Sequence, residues 1–166
     1  MSYAYDTIAD IIRLGEENNI SFGDVVLRYE LENYDRSEDA VVREIENRLD
    51  IFESSIQDGI AYAEKTASGM SGGQAAQLNG QTPRFMSDIA YKAMTYAIAV
   101  NEANAKMFRI VACPTAGSCG VMPGAVKAVA DHYQLDRATV VKGFLAASGI
   151  CLLYTSDAAD EEDSVD

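Results

Sequence analysis

The chain has 166 residues, of which 48% are hydrophobic and 8% aromatic, a composition ordinary for one globular domain with its own core. Its formal net charge of -13 argues against nucleic acid or an anionic membrane surface as a partner. The sequence has no long apolar run and no basic-then-apolar leader, so it predicts a cytoplasmic protein without a membrane span, whose cysteines form no disulfides.

Helical periodicity dominates the first third of the chain. Apolar residues spaced three and four apart predict an amphipathic helix over Asp6–Asn18. Ser21, with Asp24 three residues later, has the capping-box pattern that begins a second helix. From Ser37 to Ala63 the apolar spacing continues without a break, which predicts a helix of about seven turns.

A loop of small residues follows, Ser68-Gly-Met-Ser-Gly-Gly73, which we name the first glycine loop. Its hydroxyls and backbone amides suit contact with a ligand, but the same composition is found in linkers. Ser87 then begins an alanine-rich helix that runs to Ala105, and its alanines predict close contacts on more than one side.

Three polar residues interrupt that apolar helix near its end: Asn101, Glu102 and Asn104. Polar groups on a buried face need hydrogen-bond partners. They either brace neighbouring loops or form part of a polar site.

The segment Cys113–Gly124, which we name the second glycine loop, is the most unusual stretch, with three glycines, two prolines, two hydroxyls and two thiols. It lies between an apolar run, Phe108–Ala112, which predicts at most one short strand, and a helix predicted over 125–132. Loop amides and a helix N-terminus form a receptor for a carboxylate or phosphate, with Thr115 and Ser118 as further donors. A tight connection without a ligand has the same composition.

The last predicted helix begins after Asp136 and ends at Ser148, and the fold class is therefore mainly α. Residues 151–166 resemble a translated adapter of the kind used in sequencing libraries, followed by an index. On this interpretation residues 1–150 form one native domain, cut near Ile150, and residues 151–166 are a non-native tail.

Taken together, three motifs resemble the alpha subunit of the iron–sulfur-dependent L-serine dehydratases, also called L-serine ammonia-lyases. They are Ser68-Gly-Met-Ser-Gly-Gly73, Val100-Asn-Glu-Ala-Asn-Ala105 and Pro114-Thr-Ala-Gly-Ser-Cys-Gly120 followed by Pro123-Gly124. The resemblance covers residues 1–150, about the N-terminal half of such a subunit.

The resemblance implies a truncated helical catalytic domain of the serine dehydratase alpha-chain type, which converts L-serine to pyruvate and ammonia. It also implies a beta subunit or beta domain and an oligomer, with no role for nucleic acid or membrane. The substrate contacts carried over from the family motifs are Thr115, Gly117, Ser118, Gly120, Ser68, Ser71, Asn101 and Asn104. No catalytic base is assigned.

In that family a [4Fe-4S] cluster held by three cysteines leaves one iron free to bind the substrate hydroxyl. The family's Gly-Cys-Gln and Cys-Asp-Pro-Val-Ala-Gly motifs, which supply those cysteines, are absent here. Cys113 and Cys119 have a spacing that matches no usual cluster motif, and Cys151 lies in the adapter-like tail. We therefore expect no metal ligand in this chain, no bound cluster and no dehydratase activity of the chain by itself.

Two alternatives remain. A pyridoxal-phosphate serine dehydratase needs a Schiff-base lysine within an α/β fold, and the five lysines here all lie in helical patterns. A non-catalytic helical module that binds a small anion or a partner is the alternative of a different class. It predicts no cluster cysteines in a longer gene, whereas the dehydratase interpretation predicts three.

Overall fold

The computed structural model describes residues 2–112 and 118–162, with side chains described up to Leu153, and these ranges contain seven helices and no strand. The mainly α fold class predicted from the sequence is confirmed. The helices are α1 (Ile8–Asn18), α2 (Phe22–Tyr34), α3 (Glu38–Ala61), α4 (Gln74–Leu78), α5 (Asp88–Ala105), α6 (Val121–Tyr133) and α7 (Arg137–Glu162).

The chain divides into two compact units. Unit one comprises residues 1–45 and 137–166, and therefore contains α1, α2, α7 and the beginning of α3. Helices α2 and α7 meet closely at Gly23, where a Cβ atom would lie 2.4 Å from the carbonyl oxygen of Lys142. The core of this unit is apolar and is formed by Ile11, Leu14, Val25, Val26, Leu27, Val41, Ile45, Val141, Phe144 and Leu145.

Capping boxes begin the first two helices of unit one. The Ser21 hydroxyl accepts the N–H of Asp24 at 3.2 Å, and the Ser21 N–H donates to the Asp24 carboxylate at 3.1 Å. Thr7 and Asp10 make the same pair of contacts at the start of α1. The capping box predicted at Ser21 is confirmed, because both of its reciprocal hydrogen bonds are present.

Ionisation of the Asp24 carboxylate makes the stability of unit one depend on pH. Partial burial opposes ionisation, but hydrogen bonds from Ser21 and Lys142 hold the pKa of Asp24 below its usual range. A lowered folded-state pKa means that stability present above about pH 4 is lost as the pH falls through that pKa. We expect Asp24→Asn to cost about 1 kcal/mol at pH 6.

Urea unfolding of wild type and Asp24→Asn at pH 6 and at pH 3 tests this expectation. The difference in the free energy of unfolding between the two proteins shrinks at the lower pH. A difference that stays the same at both pH values would mean that the ionised carboxylate of Asp24 is not the stabilising group.

Unit two comprises residues 46–136, and helix α5 lies at its centre. One face of α5 meets α3, where a Cβ atom on Gly59 would lie 2.0 Å from the carbonyl oxygen of Ala99. Another face meets α6, where a Cβ atom on Gly124 would lie 2.7 Å from the carbonyl oxygen of Ala93. The alanines of α5 therefore lie against neighbours on two sides, as the sequence predicts. A small apolar cluster, formed by Ile56, Ala75, Ala99 and Val100, joins α3, α4 and α5.

The structure differs from the sequence expectations at four places. Helix α6 begins at Val121, inside the second glycine loop, since Pro123 lacks an N–H and fits the first turn of a helix. The run 108–112 is irregular, because the described ranges hold no other strand with which it could pair. The short helix α4 was not predicted, and α7 continues beyond Ser148. None of the described helices combines the length and apolar content that a bilayer span requires.

Candidate functional site

The first glycine loop is closed by Thr66, which lies two residues before Ser68. The Thr66 N–H donates to the carbonyl oxygen of Ser71 at 2.8 Å, and the Gly69 N–H donates to the carbonyl oxygen of Thr66 at 2.8 Å. The hydroxyl oxygens of Thr66 and Ser68 lie 3.1 Å apart. Ser68 is exposed and Ser71 is half-buried, so a hydroxyl at the tip of the loop is accessible to a small molecule.

Two glycines at the end of this loop are required by its backbone. Gly72 has φ of 118° and Gly73 has φ of 82°, values that residues with a side chain rarely adopt. A Cβ atom on Gly73 would also lie 2.5 Å from the carbonyl oxygen of Ala63, and one on Gly72 would lie 2.4 Å from that of Glu64. The loop therefore returns directly onto the chain that leaves α3.

A carboxylate from α5 holds the end of the first glycine loop. Glu102 is 3% exposed, and its Oε2 accepts the N–H of Gly73 at 2.9 Å while its Oε1 accepts the N–H of Gln74 at 2.7 Å. Both oxygens of a buried carboxylate are thus satisfied by backbone amides. Glu102 braces the neighbouring loop, one of the two roles that the sequence leaves open for the polar end of this helix.

Gly120, the residue of the second glycine loop that directly precedes α6, lies against the same helix. Gly120 is buried, and a Cβ atom on it would lie 2.8 Å from Oδ1 of Asn101 and 3.1 Å from the carbonyl oxygen of Ala97. The Asn101 side chain is mostly exposed and borders this contact, while the exposed Asn104 follows three residues later on α5. The structure therefore brings Gly120 and Asn101 together and leaves Asn104 facing solvent.

We expect Gly120→Ala to destabilise the protein by about 1–2 kcal/mol, because the added methyl group meets the Asn101 amide and the Ala97 carbonyl. Asn101→Ala removes the nearer of these obstacles. The double variant Gly120→Ala/Asn101→Ala should therefore lose less stability than the sum of the two single variants, which thermal unfolding of the four proteins measures. Strict additivity would show that the Asn101 side chain does not limit the space at Gly120.

A cavity of about 380 Å³ adjoins the first glycine loop. Its lining includes Tyr62, Thr66, Lys106 and Phe108, so it lies between the entry to the first glycine loop and the end of α5. The rings of Tyr62 and Phe108 are 4.9 Å apart, and the Lys106 ammonium donates to the carbonyl oxygen of Tyr62. The volume is within the range of small-molecule sites.

Four residues of the second glycine loop complete the predicted contact set. Ser118 is half-buried, and Gly120 directly precedes α6. Thr115 and Gly117 lie outside the described residues. No side chain of the described residues caps the start of α6, and a helix N-terminus favours a negatively charged ligand group.

Two residues were not among the predicted contacts, although the structure gives them central positions. Thr66 precedes a small-residue loop, and a threonine hydroxyl can form hydrogen bonds with neighbouring backbone groups. Glu102 continues the buried face formed by Thr95 and Ala99 on α5, so its position alone indicates a carboxylate that needs partners.

Comparison with known proteins gives consistent matches. Residues 17–160 match the family described as serine dehydratase alpha chain. The chain is 31% identical over 153 residues to the L-serine dehydratase alpha chain of Peptoniphilus asaccharolyticus, covering 90% of this chain and 52% of that protein.

Two further relatives have lower identity. The probable L-serine dehydratase alpha chain of Bacillus subtilis is 26% identical over 158 residues, covering 93% of this chain and 52% of that protein. L-serine dehydratase 2 of Escherichia coli is 26% identical over 170 residues, covering 95% of this chain and 36% of that protein. The chain thus spans about half the length of the alpha-chain relatives, and the family match continues past Ile150.

Proposed function

This chain belongs to the serine dehydratase alpha chain family, and on that premise we propose that it forms the substrate-binding portion of an L-serine dehydratase, an ammonia-lyase. The complete enzyme eliminates water from L-serine to give aminoacrylate. The aminoacrylate tautomerises to an imine, which takes up water to release ammonia and pyruvate.

The observation that carries the proposal is the arrangement of the three motifs around the end of α5. Asn101 borders Gly120 of the second glycine loop, and the adjacent Glu102 holds Gly73 of the first. Segments that are far apart in the sequence therefore lie at one end of one helix. Such convergence of loops on a rigid element is typical of small-molecule sites.

The groups of this chain suit a small zwitterion. In the proposal, the N-terminus of α6 receives the substrate carboxylate, together with the hydroxyls of Thr115 and Ser118. In the proposal, Ser68 and Ser71 form the wall of the site on the other side of the substrate. Asn101 and Asn104 contribute polar side chains from the end of α5. These residues bind and orient L-serine, and no residue of the described ranges is assigned as the base.

The proposal assigns no iron–sulfur cluster to this chain. Among the described residues Cys119 is buried and Cys151 is half-buried, and no group of three or more His, Cys, Asp or Glu side chains in those ranges could hold a metal ion. A [4Fe-4S] cluster needs several thiolates on one site. In the proposal the cluster belongs to the complete enzyme, its ligands lie outside this chain, and no step is assigned to it here.

A beta partner and a cytoplasmic location complete the proposal. Two of the relatives are named alpha chains, a name that goes with a second kind of subunit. We therefore propose that this chain works with a beta subunit or beta domain in an oligomer. A cytoplasmic location agrees with a family that acts on a free amino acid.

The test is to assemble the enzyme from the complete source gene and its beta partner, anaerobically with iron and sulfide, and to measure pyruvate formed from L-serine. We expect pyruvate and ammonia in equal amounts, and no pyruvate from the 166-residue chain alone. D-serine is the matched control for recognition of the substrate. A longer gene without further cysteines, or an assembled protein that binds L-serine without releasing pyruvate, would instead support a non-catalytic binding module.

A further inference from the structure

Two adjacent residues of α5, Asn101 and Glu102, face different neighbours. Asn101 continues the face of Ala93 and Ala97, which packs on α6. Glu102 continues the face of Thr95 and Ala99, which is buried toward the other side. Successive helical residues are about 100° apart, so one turn of α5 contacts both Gly73 of the first glycine loop and Gly120 of the second.

The contact made by Glu102 depends on a carboxylate. Burial of a carboxylate is costly unless hydrogen bonds compensate, and here the N–H groups of Gly73 and Gln74 each donate to a different oxygen. A glutamine at this position would offer one oxygen, and its NH₂ group would face the second N–H. Position 102 therefore requires a side chain with two acceptor oxygens, one for each N–H group.

The loop held in this way has little freedom of its own. The bond from the Thr66 N–H to the Ser71 carbonyl closes it, and Gly72 and Gly73 lie directly against the backbone that leaves α3. What remains to be fixed is the position of this closed loop relative to α5. Glu102 is bonded to the point where the loop joins α4.

We infer that Glu102 is a positioning residue, which fixes the hydroxyl-bearing wall of the first glycine loop relative to Asn101 and Gly120. The inference rests on the proposed function, in which these loops face each other across L-serine. It has a chemical consequence for the site. The amides of Gly73 and Gln74 are occupied by a carboxylate of the protein itself, so they are not available to the carboxylate of the substrate.

Three variants test the inference. Glu102→Gln keeps the size of the side chain and removes one acceptor. Glu102→Asp keeps the carboxylate on a shorter side chain and serves as the conservative variant if Glu102→Gln does not fold. Val100→Ala is the matched control, because Val100 is 1% exposed on the same helix and its truncation destabilises the core without removing a hydrogen bond of Glu102.

The first measurement is amide hydrogen exchange in the 166-residue chain. We expect Glu102→Gln to raise the exchange rates of Gly73 and Gln74 by about tenfold or more relative to Val100→Ala, the effect of losing a charge-assisted hydrogen bond. Glu102→Asp should fall between Glu102→Gln and wild type. Unchanged rates for these two amides in both Glu102 variants would overturn the inference.

The second measurement is kcat/KM for L-serine in the assembled enzyme, well below the thermal midpoint. A residue that only stabilises the fold lowers Tm and leaves kcat/KM unchanged, which is the result expected for Val100→Ala. Glu102→Gln should lower kcat/KM about tenfold or more, with Glu102→Asp retaining more activity. Equal kcat/KM for Glu102→Gln and wild type would also overturn the inference. A wild-type enzyme without activity would refute the proposed function, and the exchange rates would still decide whether Glu102 holds the loop.

Discussion

Gly59→Ala is expected to destabilise unit two by about 3 kcal/mol, because no space exists for a methyl group at the crossing of α3 and α5. The Cβ atom would lie 2.0 Å from the carbonyl oxygen of Ala99 and 2.7 Å from its Cα atom. Both are backbone atoms in the middle of a helix, so no side-chain rotation relieves the overlap. One helix must move, and the cluster of Ile56, Ala99 and Val100 loses contacts when it does.

The chain contains a matched control for this substitution. Gly143 is exposed on α7 and has no atom within 4 Å of the position that a Cβ atom would take. Gly143→Ala should stabilise the protein by about 0.5–1 kcal/mol, since alanine is the better helix former. Thermal unfolding of the two variants should therefore show shifts of opposite sign, with Gly59→Ala lower by about 6–12 °C. A small shift of Tm for Gly59→Ala would mean that α3 and α5 do not approach this closely.

Most of the helices could be predicted from the sequence because their signals are local. Ser21 and Ser87 each accept an N–H three residues later, as expected for residues that begin a helix. Where the prediction was wrong, two local signals competed. Glycine and proline at 123–124 indicate a loop, yet proline in the first turn is compatible with a helix, and Gly124 is required there by the contact with α5.

The site could be predicted only in part, for a physical reason. Motifs such as Ser68–Gly73 identify which segments matter, since hydroxyls and glycines cluster within them. The bond between Glu102 and Gly73 joins residues that are 29 positions apart, and no periodicity encodes such a pairing. The sequence does indicate that a carboxylate on a buried face requires a partner, but it does not identify the partner.

Helix α5 contacts both glycine loops, and a substitution at Gly124 tests whether the contact between α5 and α6 positions the second loop. We expect Gly124→Ala to cost about 2–3 kcal/mol of stability, because a Cβ atom there would lie 2.7 Å from the Ala93 carbonyl oxygen and 2.8 Å from the Ala97 nitrogen. Both obstacles are backbone atoms, so α6 must move away from α5. Ala125→Leu is the matched control, since it adds a larger side chain at the next position, which is exposed.

Displacement of α6 has a second consequence that a general loss of stability does not have. Helix α6 begins at Val121, directly after Gly120, so a shift at Gly124 moves Gly120 relative to Asn101. In the assembled enzyme we therefore expect Gly124→Ala to raise KM for L-serine at temperatures at which the protein is fully folded, with Ala125→Leu unchanged. Kinetics at several temperatures below Tm measure this effect. If KM stays at the wild-type value while Tm falls, the contact between α5 and α6 stabilises unit two without positioning the loop, and the second glycine loop binds its ligand independently of α5.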